Sequence, residues 1–306
     1  MENLADYIIN DDCLAALKNL PSESVNCCVT SPPYYGLRDY GIDGQIGREK
    51  TPEKYIKKLT EVFAQLRRVL RKDGTLWLNI ADSYCGSGSK GVHTDPKYPK
   101  GRNGQQTSIT YNVKNCKHKD LIGIPWLLAF ALRSDGWYLR SDIIWQKGNC
   151  SVLLPTAKAG CARPTSFGYQ MPENVKDRPT RSYEHVFLFS KSRRYYYDSF
   201  SIAEPAITKN KSIDDINFSP FRNCRDVWNI NTTPYKGDFF AAYPVELAER
   251  CILAGCPEDG VVIDPFFGSG TTGLAAVQNN RSFIGIEINP KSCLLAAERI
   301  SKISHY

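Results

Sequence analysis

The chain has 306 residues, 42% of them hydrophobic and 23% charged, with 39 Lys and Arg against 32 Asp and Glu. That length and balance exclude a disordered polymer and a minimal disulfide-stapled module, and they allow one elaborated domain or two. The formal net charge of +7 leans towards a polyanionic partner without requiring one.

The opening MENLADYIIN lacks a basic start and a long apolar core, and no apolar stretch approaches the roughly 20 residues of a membrane span. No membrane association and a cytoplasmic location are therefore expected. The 11 cysteines are odd in number and irregular in spacing. Cys116 and His118 form the nearest approach to a metal pair, and no second pair accompanies them, so no metal is expected.

In chain order, YIIN (7–10) reads as a short strand, DDCLAALKNLP as a helix ended by Pro21, and VNCCVT (25–30) as the next strand. Ser31-Pro32-Pro33-Tyr34 follows at once. Tandem prolines neither continue a sheet ladder nor enter a helix, so the strand must end in a rigid loop. A helix is predicted at about 52–71, where Tyr55, Leu59, Val62, Phe63, Leu66 and Leu70 recur at helical spacing. Asp73-Gly74 leads from it to the strand TLWLNIA.

Residues 85–116 are rich in Gly, Lys and Asn and are expected to form a mobile basic loop carrying Lys90, Lys97, Lys100 and Arg102. DLIGIPWLLAFALRSDG then reads as a helix, and LRSDIIWQ and EHVFLFS as strands. Residues 151–182 and 199–235 are irregular, mixing Pro, Arg and aromatic side chains, and irregular stretches of that length are usually functional or disordered.

The C-terminal quarter is the most regular. GVVIDPFFGSGTTGLAAVQNN is a β-branched run, a Gly-rich turn and a helix from about Thr271. RSFIGIEINPKSCLLAAERISK repeats the pattern with a strand at 282–288, Asn289-Pro290 and a further helix. Two consecutive strand–helix units imply a parallel sheet. The N-terminal units look like their continuation, which predicts one three-layer α/β domain of about seven strands.

The turn DPFFGSGTT (264–272) opens a helix, so its glycines let backbone approach a ligand and the helix offers unpaired N–H groups. It has no lysine, which a phosphate-binding P-loop would need. Glu287, at the end of the next strand, is suited to accept both hydroxyls of a ribose.

TSPPY, DPFFGSGTT and IGIEINP together resemble the amino-group DNA methyltransferases that use S-adenosylmethionine. Their catalytic motif reads Asp/Asn/Ser-Pro-Pro-Tyr/Phe/Trp and their cofactor motif Asp-Pro-Phe-x-Gly-x-Gly-Thr. Here the catalytic motif comes first, the order of the beta class. DGTLWLNIADSY, WYLRSDIIWQKGN, KDRPTRSYEHVFLFSKS and YPVELAERCI extend the resemblance over most of the chain.

The resemblance implies a Rossmann-like methyltransferase fold: an α/β, mostly parallel sheet with helices on both faces, a circularly permuted motif order and irregular target-recognition insertions. On it, 1–84 is the catalytic half with its loop at 30–41, and 85–116 is the basic loop. Residues 117–150 and 183–198 complete the catalytic domain, 151–182 and 199–235 recognise the target, and 236–306 is the cofactor half.

It also implies roles. Ser31 and the Pro32 carbonyl accept hydrogen bonds from an exocyclic amine, Pro33 stiffens the loop, and Tyr34 stacks on a base flipped out of the duplex. Direct transfer then needs no covalent enzyme intermediate. Asp264, Phe266, Gly268, Gly270, Thr271 and Thr272 surround the methionine part of S-adenosylmethionine. Glu287 takes its ribose, Asp12 lies near its adenine, and Phe240 and Pro244 match the same site. The family usually has a histidine where this chain has Phe239.

Serine at the first motif position usually accompanies cytosine-N4 methylation and aspartate adenine-N6, so cytosine-N4 is expected, with adenine-N6 as the alternative. An RNA or a protein amine or amide is a more distant alternative. The partner is double-stranded DNA, contacted by Arg38, Trp145, Lys147, Arg163, Lys176, Arg178 and Arg181. Trp145 is nearly as well explained as a core residue. Relatives of this class suggest a homodimer and a cognate restriction endonuclease.

Overall fold

Alternation of side chains along each strand, and the helices that cover both sides, organise the molecule around a single large sheet. The computed structural model describes residues 7–37, 40–86, 113–147, 176–206, 220–232 and 243–303.

Strand β1 (Tyr7–Ile9) leads to helix α1 (Cys13–Asn19), whose first turn is capped by Asp12: Oδ1 accepts the Leu14 and Ala15 amides, both at 3.0 Å. Strand β2 (Val25–Thr30) ends where the prolines begin. Helix α2 (Pro52–Val69) has Thr51 as N-cap and Pro52 in its first turn, and it passes directly into β3 (Leu70–Ile80). That strand begins five residues earlier than the apolar run TLWLNIA suggests. It accommodates the extra length through a register shift between the pairs Val25–Leu70 and Cys27–Thr75.

Helix α3 (Ile124–Ser134), β4 (Tyr138–Lys147) and β5 (Tyr183–Ser190) follow. A two-stranded ribbon, β6 (Glu204–Pro205) with β7 (Phe221–Arg222), and strand β8 (Val227–Ile230) come next. The chain closes with α4 (Val245–Gly255), β9 (Val261–Asp264), α5 (Thr271–Gln278), β10 (Ser282–Ile286) and α6 (Pro290–Ser301).

The main sheet has eight strands in the order β1-β10-β9-β2-β3-β5-β4-β8. Every neighbouring pair is parallel except those made by β5, which runs antiparallel to β3 and β4. The expected mostly parallel α/β sheet is found, with one strand more than the seven read from the sequence. That strand, β8, comes from within 199–235. Its alternate residues Trp228 and Ile230 are buried while Val227 and Asn229 are exposed.

Strand alternation divides the interior into two cores. On one face Cys28, Leu76, Leu78, Ile263, Ile284 and Phe187 meet α1, α2 and α3. On the other Cys27, Trp77, Val262, Phe283 and Leu188 meet α4, α5 and α6. Adjacent Cys27 and Cys28 thus serve opposite cores, and burial pushes the Cys27 thiol up to about 12. All cysteines among the described residues are free thiols. Among the described residues no helix is long and apolar enough to cross a membrane, and no cluster of His, Cys, Asp or Glu could hold a metal.

Candidate active site

The chain leaves β9 towards β10 on one side of the sheet and leaves β2 towards β3 on the other, although β9 and β2 are neighbours. Their helices, α5 and α2, pack on opposite faces. The loops after β9 and β2 therefore diverge and leave a crevice at the carboxyl ends of the strands, where open α/β sheets bind ligands. DPFFGSGTT follows β9, and SPPY follows β2.

Asp264 ties the two loops together. Its Oδ1 accepts the Thr30 hydroxyl at 2.6 Å and the Phe266 amide at 3.0 Å. Its Oδ2 accepts the Thr272 hydroxyl at 2.5 Å and the Tyr243 hydroxyl at 3.3 Å. Burial pushes its carboxyl above the ordinary range, against the opposing pull of these donors. With 2% exposure and internal donors on both oxygens, Asp264 faces the protein and not an open site.

Thr272 is 1% exposed and bonds both Asp264 and the Val29 carbonyl. Thr271, also buried, receives Arg299 Nη1, which binds the Ser269 carbonyl and hydroxyl as well. Gly270 has φ +78°, and a Cβ there would lie 2.7 Å from the Ala296 methyl. Only glycine suits both conditions.

Glu287 lies just past β10, half-buried. Its Oε2 accepts the Gly268 amide and its Oε1 the Asn289 amide, both at 2.8 Å. Asn10, beyond the neighbouring β1, donates to the Glu287 carbonyl at 2.8 Å. Burial raises the Glu287 carboxyl above the ordinary glutamate range, and the two amides pull against that rise. Asp12 stands at the same end of the sheet with Oδ1 engaged in capping. Phe266 is half-buried, edge-on to Phe63 at 6.5 Å. Pro244 is buried as the N-cap of α4.

On the other lip, the Pro33 carbonyl accepts the Tyr55 hydroxyl at 2.9 Å, and the Tyr35 carbonyl accepts Ser83 Oγ at 3.0 Å. Among the described residues nothing donates to the Pro32 carbonyl. The Tyr34 hydroxyl lies 2.6 Å from Glu184 Oε2, 3.2 Å from Asn79 Oδ1 and 3.4 Å from Ser31 Oγ. Asn79 Nδ2 donates to the same Glu184 oxygen at 3.0 Å, and Lys147 Nζ pairs with the other. Strands β3, β5 and β4 deliver these three side chains to the end of β2. Sequence reasoning named Lys147 but missed Asn79 and Glu184. A lone amide in LWLNIA and a lone acid in YEHVFLF were the available signals.

Of the remaining residues expected to contact DNA, Arg178 stacks on Tyr84 at 4.0 Å, and Arg181 lies 5.2 Å from the same ring and donates to the Asp82 carbonyl at 2.6 Å. Lys176 is exposed. Trp145 is 3% exposed, its indole N–H donates to the Ile230 carbonyl at 2.9 Å, and Lys147 Nζ lies 4.6 Å from its ring centroid. Arg38, Arg163, Phe239 and Phe240, and the cluster Lys90, Lys97, Lys100 and Arg102, lie outside the described residues.

Residues 25–298 match the family model N6_N4_Mtase, described as DNA methylase. The type II methyltransferase M.SmaI of Serratia marcescens is 48% identical over 296 residues, which is 96% of this chain and 90% of that protein. DNA adenine methyltransferase YhdJ of Escherichia coli K12 is 25% identical over 99% of this chain and 85% of its own length. Among solved structures, PvuII DNA methyltransferase (cytosine-N4-specific) superposes with a TM-score of 0.63 at 19% identity, covering 98% of this chain and 92% of that one. A DNA modification methylase of Thermus thermophilus, complexed with S-adenosylmethionine, gives 0.57 at 21%, covering 97% and 95%. The chain belongs to the DNA methylase family of S-adenosylmethionine-dependent N6- and N4-amino methyltransferases.

Proposed function

We propose that the chain methylates the exocyclic N4 amine of a cytosine flipped out of double-stranded DNA, at a specific site and without a covalent enzyme intermediate. The observation that carries this reading is the hydroxyl of Ser31, where a carboxylate would be expected for adenine-N6. Ser31 stands at the head of a loop stiffened by Pro33 and anchored by Tyr55.

An aromatic amine is a poor nucleophile because its lone pair is delocalised into the ring. Acceptors on its two N–H bonds favour the tetrahedral geometry in which the lone pair points at the methyl group. Ser31 Oγ and the Pro32 carbonyl are those acceptors, and the Tyr34 ring stacks on the base. S-adenosylmethionine supplies an electrophilic methyl on a sulfonium. The residues fit that group. Each oxygen of Glu287 holds one amide and keeps acceptor capacity for one ribose hydroxyl. Gly268, Gly270 and Phe266 line the turn beside it, and Asp12 stands at the neighbouring strand end.

Ser31→Ala should lower kcat by about 100-fold while leaving S-adenosylmethionine affinity unchanged. Transfer of labelled methyl into duplex DNA measures it, and full turnover would remove Ser31 from the chemistry. The base that carries the label tests the N4 assignment against adenine-N6, the alternative favoured by the likeness to YhdJ. Relatives named type II methyltransferases support a restriction-modification setting with a cognate endonuclease. The homodimer suggested by the family is read by sedimentation.

A further inference from the structure

The hydrogen bonds behind Ser31 have a direction. Glu184 is 9% exposed and is held from two sides, by the Lys147 ammonium on Oε1 and by Asn79 Nδ2 on Oε2 at 3.0 Å. An ionised carboxylate only accepts, so the Tyr34 hydroxyl, 2.6 Å from Oε2, donates to it. Asn79 Oδ1 is a second acceptor for that proton at 3.2 Å, but it is farther away and neutral. The phenol oxygen then has its lone pairs turned to Ser31 Oγ at 3.4 Å. That distance is long for a hydroxyl pair, as catalytic hydrogen bonds often are before the substrate binds.

Ser31 has one proton. With that proton directed at Tyr34, its remaining face presents only lone pairs, which is what an amine N–H needs. Stacking on a base requires a ring alone, and phenylalanine or tryptophan can supply it, so the Tyr34 hydroxyl has no part in stacking. Burial and the charge of Glu184 hold the Tyr34 phenol well above its ordinary range, so it stays a donor throughout neutral pH.

We propose that Glu184 is a positioning residue which, through the Tyr34 hydroxyl, holds Ser31 as a hydrogen-bond acceptor, with Lys147 as its counter-charge. The inference rests on the role given to Ser31 above and deepens it. No proton moves along the chain of bonds; the network sets only which way each hydroxyl points.

A double-mutant cycle tests it, with kcat, KM for duplex DNA and S-adenosylmethionine affinity measured for Tyr34→Phe, Glu184→Gln and the pair. Each single change should lower kcat on the order of 10-fold to 100-fold, with KM and cofactor affinity close to wild type. The pair should be no slower than Tyr34→Phe within a factor of about 2, because the second change acts only through a hydroxyl already removed. Losses that multiply in the pair, or a wild-type kcat in Tyr34→Phe, would overturn the proposal. If Glu184→Gln fails to fold because the Lys147 charge is stranded, Glu184→Gln with Lys147→Met removes both charges and enters the same cycle. A wild-type product other than N4-methylcytosine would refute the base assignment and leave this cycle valid. Full activity in Ser31→Ala would refute the underlying role whatever the cycle shows.

Discussion

At the scale of single residues, the two carboxylates of the crevice are made different by what surrounds them. Asp264 is enclosed by three hydroxyls and an amide and joins β2, β9 and α5. Glu287 accepts the Gly268 and Asn289 amides, one on each oxygen, and is half-buried, so it keeps capacity for a ligand. Glu287→Ala should weaken S-adenosylmethionine binding by about 1.5–3 kcal/mol, as expected for hydrogen bonds to a charged group; calorimetry measures it, and unchanged affinity would take Glu287 out of the site. The pH dependence has a definite sign. Burial raises the Glu287 carboxyl, and the ionised form is the one that accepts two hydroxyls. Affinity should therefore be complete above the raised value and be lost as pH falls through it, at a higher pH than an ordinary glutamate would give. Glu287→Gln should flatten that profile.

At the scale of elements, close packing between the two C-terminal strand–helix units holds the cofactor loop. Phe267 lies on the backbone of Gly285 and stacks on Phe283 at 5.5 Å; a Cβ at Gly285 would lie 2.4 Å from the Phe267 ring. Gly285→Ala should cost about 1–3 kcal/mol by overpacking and displace the turn at 266–268. Chemical denaturation measures the first effect, and wild-type stability would contradict the packing. These units were legible because each joins a β-branched run, a Gly or Asn-Pro turn and a helical period in sequence. Strand β8 was not, since four residues with two buried positions give too short a period to stand out. Helix α4 was visible only as the block YPVELAERCI. The Ser31–Tyr34–Glu184–Lys147 network was illegible for a different reason: its members come from the end of β2 and from β5 and β4, and neighbours across a sheet leave no local pattern. Trp145 is buried through its strand alternation, the core placement that its sequence pattern leaves open beside a role at the DNA.

At the scale of the whole molecule, the sheet separates two cores, and the loops after β9 and β2 diverge at the carboxyl ends of the strands, which is where the proposed reaction brings cofactor and base together. The basic residues that flank that end follow from the same topology. Arg178 and Arg181 precede β5 and flank Tyr84, just past the end of β3. Arg181 donates to the Asp82 carbonyl and Arg178 to the Pro179 carbonyl; on the DNA-binding role proposed above, exposed Lys176 and half-buried Arg178 are the phosphate contacts to test. Replacing both with Gln should weaken duplex binding at low salt and reduce the slope of log affinity against log salt by roughly 1–2. An unaltered slope would place the DNA backbone elsewhere.

The most direct test of the account is the chemical identity of the product. Purified protein, unmethylated duplex DNA and S-adenosylmethionine are incubated together, the DNA is digested to nucleosides, and the methylated species is identified by mass spectrometry. The hydroxyl at Ser31 predicts N4-methylcytosine. N6-methyladenine would contradict it, keeping the crevice and the cofactor site but showing that the first residue of the loop does not select the base.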